Sequence, residues 1–186
     1  MSRDLFWKLL EAEHPKAEAF CRKLTGNRDD GDDLYQDCLL HAWRKFGSLR
    51  DHQAFRPWLY RIIVNMYKSR CRRLRFIGND SATGERASIR SYDPSAKLTA
   101  SLWLVRAMAS LSADEKALIS LFELDGWSVA ELAQMYGKSE GTIKSRLART
   151  RKKMRAELSK YIPFGENVNS KIEAGYVLPR SETSSE

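Results

Sequence analysis

Two tetrads of the form Ser-x-x-Glu, Ser112-Ala113-Asp114-Glu115 and Ser128-Val129-Ala130-Glu131, constrain this chain more than any other feature. The serine side chain accepts from the backbone N–H of the glutamate, and the glutamate reaches back to the serine N–H, so each tetrad fixes a helix start. Leu118, Ile119, Leu121 and Phe122 follow the first tetrad, and Asp125-Gly126 stops that helix. Trp127 and Leu132 flank the second start as a hydrophobic staple. The short helix over 129–135 ends at Tyr136-Gly137-Lys138, and Ser139 caps a longer helix over about 140–158. A short helix, a glycine-containing turn and a longer helix make a helix-turn-helix.

The longer helix divides its faces. Ile143, Leu147 and Met154 lie within about 40° of one another at 100° per residue and form the buried seam. Thr142, Ser145, Arg149 and Lys152 fall opposite. Near its start that face is small and polar, which permits approach to base edges. Arg149, Arg151, Lys152, Lys153 and Arg155 further along can reach phosphates. Cations at a helix C-terminus also simply suit the helix dipole. The whole chain of 186 residues carries 32 Lys and Arg against 24 Asp and Glu, a net charge of +8 that suits a polyanionic partner.

The N-terminal part reads as a helical bundle. Leu5, Phe6, Leu9 and Leu10 share one face of a first helix. Pro15 opens a second, with Ala17, Phe20, Cys21 and Leu24 inward and Gly26 as its stop. Asp29, Asp30, Asp32 and Asp33 favour the positive end of a third helix, whose apolar stripe is Leu34, Cys38, Leu39, Ala42, Trp43 and Phe46. Residues 47–56 read as a loop, and Pro57 as the first position of a fourth helix running to about residue 74. In that helix Leu59, Ile62, Ile63 and Met66 should be core. Trp58, Arg61, Asn65, Lys68 and Arg72 make a second stripe. Its aromatic and its amide offer stacking and base-edge hydrogen bonding beyond a merely solvated basic face.

These patterns predict an all-α chain of two small helical domains joined by a flexible linker. The division is 1–75, a polar linker over 76–100, 101–160, and a C-terminal tail over 161–186. Ile172, Tyr176, Val177 and Leu178 would let that tail dock back on a domain. Three scattered cysteines without a Cys-x-x-Cys pair do not make a disulfide framework, so a reducing, cytoplasmic setting is expected. The most apolar stretch, Trp58 to Val64, is short and holds an arginine, so no membrane insertion is expected. Phosphate-loop, nucleophile-elbow and zinc-protease motifs are absent from the sequence, which argues against an enzyme, and neither cofactor nor metal is expected. Cys38-x-x-His41 lacks a second ligand pair for zinc.

Both halves resemble the extracytoplasmic-function (group 4) sigma factors of the sigma-70 family of bacterial RNA polymerase. Asp32-Asp33-Leu34-Tyr35-Gln36-Asp37 is similar to the family's acidic D-L-x-Q-E/D segment, and Ala42-Trp43-Arg44-Lys45-Phe46 follows where expected. Phe55-Arg56-Pro57-Trp58-Leu59-Tyr60-Arg61-Ile62-Ile63-Val64-Asn65 resembles its W-L-Y-R-I-A-x-N helix. Gly126 to Ala133 is similar to G-x-S-x-x-E-I-A, and Glu140 to Leu147 to x-G-T-V-K-S-R-L. Tyr35 departs from the family, which more often places a small aliphatic residue there, and Lys68 replaces a frequently acidic position.

The resemblance implies a fold, partners and sites. Region 2 would bind the coiled coil of the polymerase largest subunit through Asp33, Leu34, Gln36, Asp37 and Trp43; the acids also suit the helix start, and Trp43 also suits core packing. It would capture a flipped base of the promoter −10 element with Phe55, Trp58, Arg61 and Asn65, with Lys68 and Arg72 on the backbone and Arg56 in the same −10 set. Phe55 and Trp58 have core packing as their alternative. An aromatic stack returns about 1–3 kcal/mol against an unpairing cost of a few kcal/mol, so melting needs no ATP. Region 4 would read the −35 element with Ser139, Thr142, Lys144, Ser145, Arg146 and Arg149. Core RNA polymerase, including its flap region, promoter DNA and an anti-sigma factor are the implied partners. A stand-alone helix-turn-helix regulator of duplex DNA is the alternative, and it leaves the first-half motifs unexplained.

Overall fold

The computed structural model describes residues 2–79 and 100–160. Among the described residues eight α-helices run in order, α1 (Ser2–Glu11), α2 (His14–Thr25), α3 (Arg28–Lys45), α4 (Phe55–Asn79), α5 (Ala100–Ala109), α6 (Ala113–Glu123), α7 (Val129–Tyr136) and α8 (Glu140–Leu158). No strand occurs among the described residues, as the all-α reading requires. The linker between the two helix sets and the tail, with its proposed docking residues, lie outside the described residues.

Local chemistry explains the element boundaries. Asn27 caps α3 by accepting from the Asp29 N–H at 2.9 Å. Both Ser-x-x-Glu tetrads form full capping boxes; Glu115 and Glu131 accept from the serine N–H groups at 2.9 and 2.7 Å. Each such cap contributes about 1 kcal/mol. Gly137 ends α7 at φ 61°, where a side chain would be strained, and its turn leads directly to the Ser139 cap of α8.

The stretch 47–56 is more ordered than a plain loop. Two 3₁₀ turns, Phe46–Ser48 and His52–Ala54, fold it back, and α4 starts at Phe55, two residues before Pro57. The first turn of a helix has no intrahelical use for its N–H groups, so proline is tolerated there. At its other end α4 runs through Asn79 and takes up the first four residues assigned to the linker.

Helix α2 packs on α3, and α4 closes over both. Phe6, Ala17, Phe20, Cys21, Leu24, Cys38, Ala42, Leu59 and Ile63 are fully buried there. The α2–α3 crossing depends on Gly31, where a Cβ would stand 2.5 Å from the Arg22 Cα. Among the last four helices, α8 packs on α5, α6 and α7. Ile143 and Leu147 fill its seam, Met154 packs at its edge, and Thr150 is buried beside them.

The two sets of helices also pack on each other, α2 and α4 against α6 and α7. Consequently α4 has a second buried stripe, Tyr60, Val64 and Tyr67. The Tyr60 ring meets Trp127 at 4.8 Å between centroids, and Trp127 is only 2% exposed. The side of α4 that periodicity assigned to the core was therefore only half of what is buried.

Candidate nucleic-acid and polymerase interfaces

Helix α3 presents an outward stripe. Asp33, Gln36 and Asp37 are exposed on it, and Leu40 and Trp43 continue the same face by helical spacing. Leu40 is 56% exposed and Trp43 37%. Trp7 of α1, 52% exposed, stacks on Trp43 at 5.9 Å and 27°. Three large apolar side chains thus form one patch with an acidic margin. A contiguous apolar patch rimmed by charge suits a protein partner better than solvent. Leu34 does not belong to it. It is buried in the bundle, because it sits one position round from Asp33 and faces α2 and α4 with Cys38 and Ala42. The expectation that Leu34 meets the polymerase directly is corrected, because its side chain is taken up by the core.

Sequence reading missed Trp7 and Leu40. The available signal was their position off the apolar faces of α1 and α3, where an aliphatic or aromatic residue has no core to enter.

Helix α4 carries the second surface. Arg61, Asn65 and Arg72 are exposed, and Trp58 is half-buried. Trp58 packs edgewise on Phe46 at 6.4 Å and tilted by 39° on Phe55 at 5.8 Å, which fixes its ring beside the exposed residues. Arg72 donates to the Ser69 hydroxyl at 3.1 Å. Phe55 is the second correction. At 2% exposure it lies among Phe6, Phe46 and Trp58, so it cannot stack on a base without unpacking the core.

Two further members of the predicted −10 set turn toward the second half. Arg56 donates to the Glu131 Oε1 at 2.6 Å, lies 3.7 Å from Glu13 and stands 4.3 Å over the Trp127 ring. Lys68 pairs with Asp114 at 2.9 Å. The Glu131 carboxyl is held below its ordinary range, first by the Ser128 N–H and hydroxyl and then by Arg56, while burial works the other way.

Helix α8 carries the third surface. Ser139, Thr142, Lys144, Ser145 and Arg149 are all exposed. The Ser139 hydroxyl accepts from the Thr142 N–H at 3.3 Å, and Ser145 donates to the Gly141 carbonyl at 2.8 Å. Thr142, Ser145 and Arg149 share one face at i, i+3 and i+7. Lys144 lies 3.8 Å from Glu140. Arg146 points elsewhere: it pairs with Asp114 and stands 4.8 Å over Tyr136. Arg151 is 2.6 Å from Glu123 and Lys153 2.7 Å from Glu115, so part of the basic C-terminus of α8 braces α6. Lys152 and Arg155 are exposed.

Among the described residues no group of three or more His, Cys, Asp and Glu side chains converges on a metal position. Cys38 is buried and His41 exposed, so the two do not face a common site. No described helix is long and apolar enough to cross a membrane.

Comparison with known proteins places these surfaces in a family context. The family described as Sigma-70 region 2 matches residues 9–77, and Sigma-70, region 4 matches residues 101–154. The chain is 32% identical over 166 residues to the ECF RNA polymerase sigma factor SigM of Mycobacterium tuberculosis, covering 89% of this chain and 83% of that protein. It is 33% identical over 132 residues to SigL of the same organism, covering 69% and 74%. Among solved structures it is similar to the sigma factor RpoE in complex with the anti-sigma factor NepR from Bartonella quintana. That match has a TM-score of 0.65 and 29% identity, and covers 83% of this chain and 96% of that one.

Proposed function

Because the chain belongs to the extracytoplasmic-function sigma factors, it directs RNA polymerase to promoters, and we propose how its three exposed surfaces divide that work. The α3 stripe of Asp33, Gln36, Asp37, Leu40 and Trp43, with Trp7, docks on the largest-subunit coiled coil of core polymerase. The α4 surface of Trp58, Arg61, Asn65 and Arg72 reads and holds the unpaired −10 strand, with Arg56 and Lys68 on its backbone and Phe55 packed behind Trp58. The α8 surface of Ser139, Thr142, Lys144, Ser145 and Arg149 reads the −35 duplex, with Arg146 braced behind it by Asp114 and Tyr136. Residues 1–75 and 101–160 are the two working units, and the chain works in the cytoplasm. The relative bound to an anti-sigma factor supports an anti-sigma partner here as well.

The observation that carries this reading is the separation of chemistries. The acidic and apolar stripe on α3 suits protein, whereas cations interleaved with an aromatic and an amide on α4 suit single-stranded nucleic acid. A duplex-only regulator has no use for the α3 patch. The chain itself carries no catalysis in this scheme, because polymerase supplies it.

The test is start-site-specific transcription with purified bacterial core RNA polymerase on a genomic promoter library. Transcripts that share paired upstream elements and vanish without the protein are expected. Binding to duplex DNA without binding to core enzyme would replace this reading with that of an ordinary regulator.

A further inference from the structure

Helix α4 runs on to Asn79, so Phe76 stands on a helix and not in a linker. Phe76 follows Trp58 by 18 residues, which is about five turns at 3.6 residues each, so the two rings share one line along α4. Asn65 and Arg72 fall between them, within about 40° of that line at 100° per residue. The stripe that begins on an aromatic ring therefore ends on one. At 78% exposure Phe76 is the most open large apolar side chain among the described residues.

Stability does not explain that ring. Arginines near the end of a helix suit its dipole, but a phenylalanine there gains nothing from the dipole and nothing from burial. Arg72 and Arg73 are exposed and flank the Phe76 line, one on each side by helical spacing. No Asp or Glu occurs anywhere in α4. An apolar ring between two cations, on a helix without acids, fits a polyanion that also offers apolar groups. Duplex DNA is such a partner: its major groove admits an α-helix, and there a phenylalanine can meet the thymine C5 methyl group. The two rings are about 27 Å apart along the helix, or about eight base pairs of duplex at 3.4 Å each. Phe76 thus reaches past the bases held beside Trp58. From α4 the chain leads to the half that reads the −35 element, so the far end of α4 faces that side.

We propose that Phe76 is a second DNA contact of α4, which reads a thymine methyl group in the duplex between the −10 and −35 elements while Arg72 and Arg73 hold the neighbouring phosphates. This rests on the reading of α4 as the −10 surface and extends it. One helix then spans unpaired and paired DNA, and promoter choice includes a position outside both elements.

The experiment uses the full chain assembled with core RNA polymerase, on the strongest promoter found in the transcription test. Phe76→p-benzoylphenylalanine places a photo-cross-linker at the ring. Cross-links to the duplex upstream of the −10 element are expected. Cross-links only to polymerase, only to DNA downstream, or to nothing overturn the proposal. Deoxyuridine then replaces each thymidine of the upstream duplex in turn, which removes a methyl group and nothing else. At one position the exchange should weaken promoter binding by the wild-type holoenzyme about fourfold, the worth of one buried methyl group. The Phe76→Ala holoenzyme should not respond there. If no position shows a loss that depends on Phe76, the proposal fails. An unshifted urea midpoint and unchanged affinity for core polymerase check that Phe76→Ala is folded and assembled. Asn65→Ala reports on the underlying reading. Loss of −10 discrimination in that variant, without an upstream cross-link from position 76, would reject this contact and keep the −10 surface. Full −10 discrimination in Asn65→Ala, again without that cross-link, would reject both.

Discussion

Single side chains carry the separable parts of this protein's work. Asn65 is exposed on α4 between Arg61 and Arg72, and an amide there can pair with a base edge. Asn65→Ala should therefore cost about 1–3 kcal/mol of discrimination at one −10 position. Transcription from promoter variants should flatten at that position while core-polymerase affinity holds; equal preference for the same base in wild type and variant would remove Asn65 from the site. Gly31 has a structural task instead. Any Cβ there meets the Arg22 backbone, so the α2–α3 crossing must widen. Gly31→Ala should destabilise the chain by about 1–3 kcal/mol, as overpacking does. An unshifted urea midpoint would contradict that.

Elements place those side chains, and two of them can be tested as elements. Helix α3 keeps Leu34, Cys38 and Ala42 inward and sends Leu40 and Trp43 outward. Leu40 is exposed and contributes little to folding, so Leu40→Ala should leave the melting temperature nearly unchanged, whereas Trp43 stacks on Trp7 and meets the buried Phe6 edge-on at 5.2 Å, so Trp43→Ala should also lower it. Each should weaken core-polymerase binding about tenfold or more if the patch is a hot spot. Binding at wild-type strength would move the docking site elsewhere. Helix α7 offers a pH test. Glu131 ionises more readily in the folded chain than its ordinary value near 4.5. Its contribution is therefore complete above the unfolded value and fades as pH falls through 4.5 and below. Urea midpoints should drop between about pH 5 and pH 3, and Glu131→Gln should flatten that drop. Parallel slopes for the two proteins would assign the acid sensitivity to other carboxylates.

At the scale of the molecule, the contact between the halves mixes one aromatic pair with several ion pairs. Arg56–Glu131 and Lys68–Asp114 are partly exposed, and such pairs weaken as added salt shortens the screening length from about 10 Å at 0.1 M toward about 3 Å at 1 M. The free chain should therefore open as salt rises from about 0.05 M to about 0.5 M, seen as a falling energy transfer between labelled halves. A distance that does not respond to salt would mean that apolar packing, with Tyr60, Val64 and Tyr67 of α4 buried and Tyr60 against Trp127, holds the contact.

Helix starts, the turn glycine and the exposed faces of α8 were legible in the sequence, because caps and short turns are set by residues within a few positions of one another. Ser112, Ser128, Ser139 and Gly137 all act where local spacing placed them. The periodic stripes Ala17–Phe20–Cys21–Leu24 and Leu59–Ile63 were equally local, and they are buried. Burial of Leu34 was legible in its apolar stripe and that of Phe55 as one of two alternatives, but which of the two holds for Phe55 was decided only by Phe6, Phe46 and Trp58 closing around it. The second buried stripe of α4, and the diversion of Arg56, Lys68 and Arg146 from their expected faces, depend on partners that lie far away in the sequence. Periodicity records which residues can share a face of one helix. Only the packing of helix on helix decides how many faces are covered and which charges find each other.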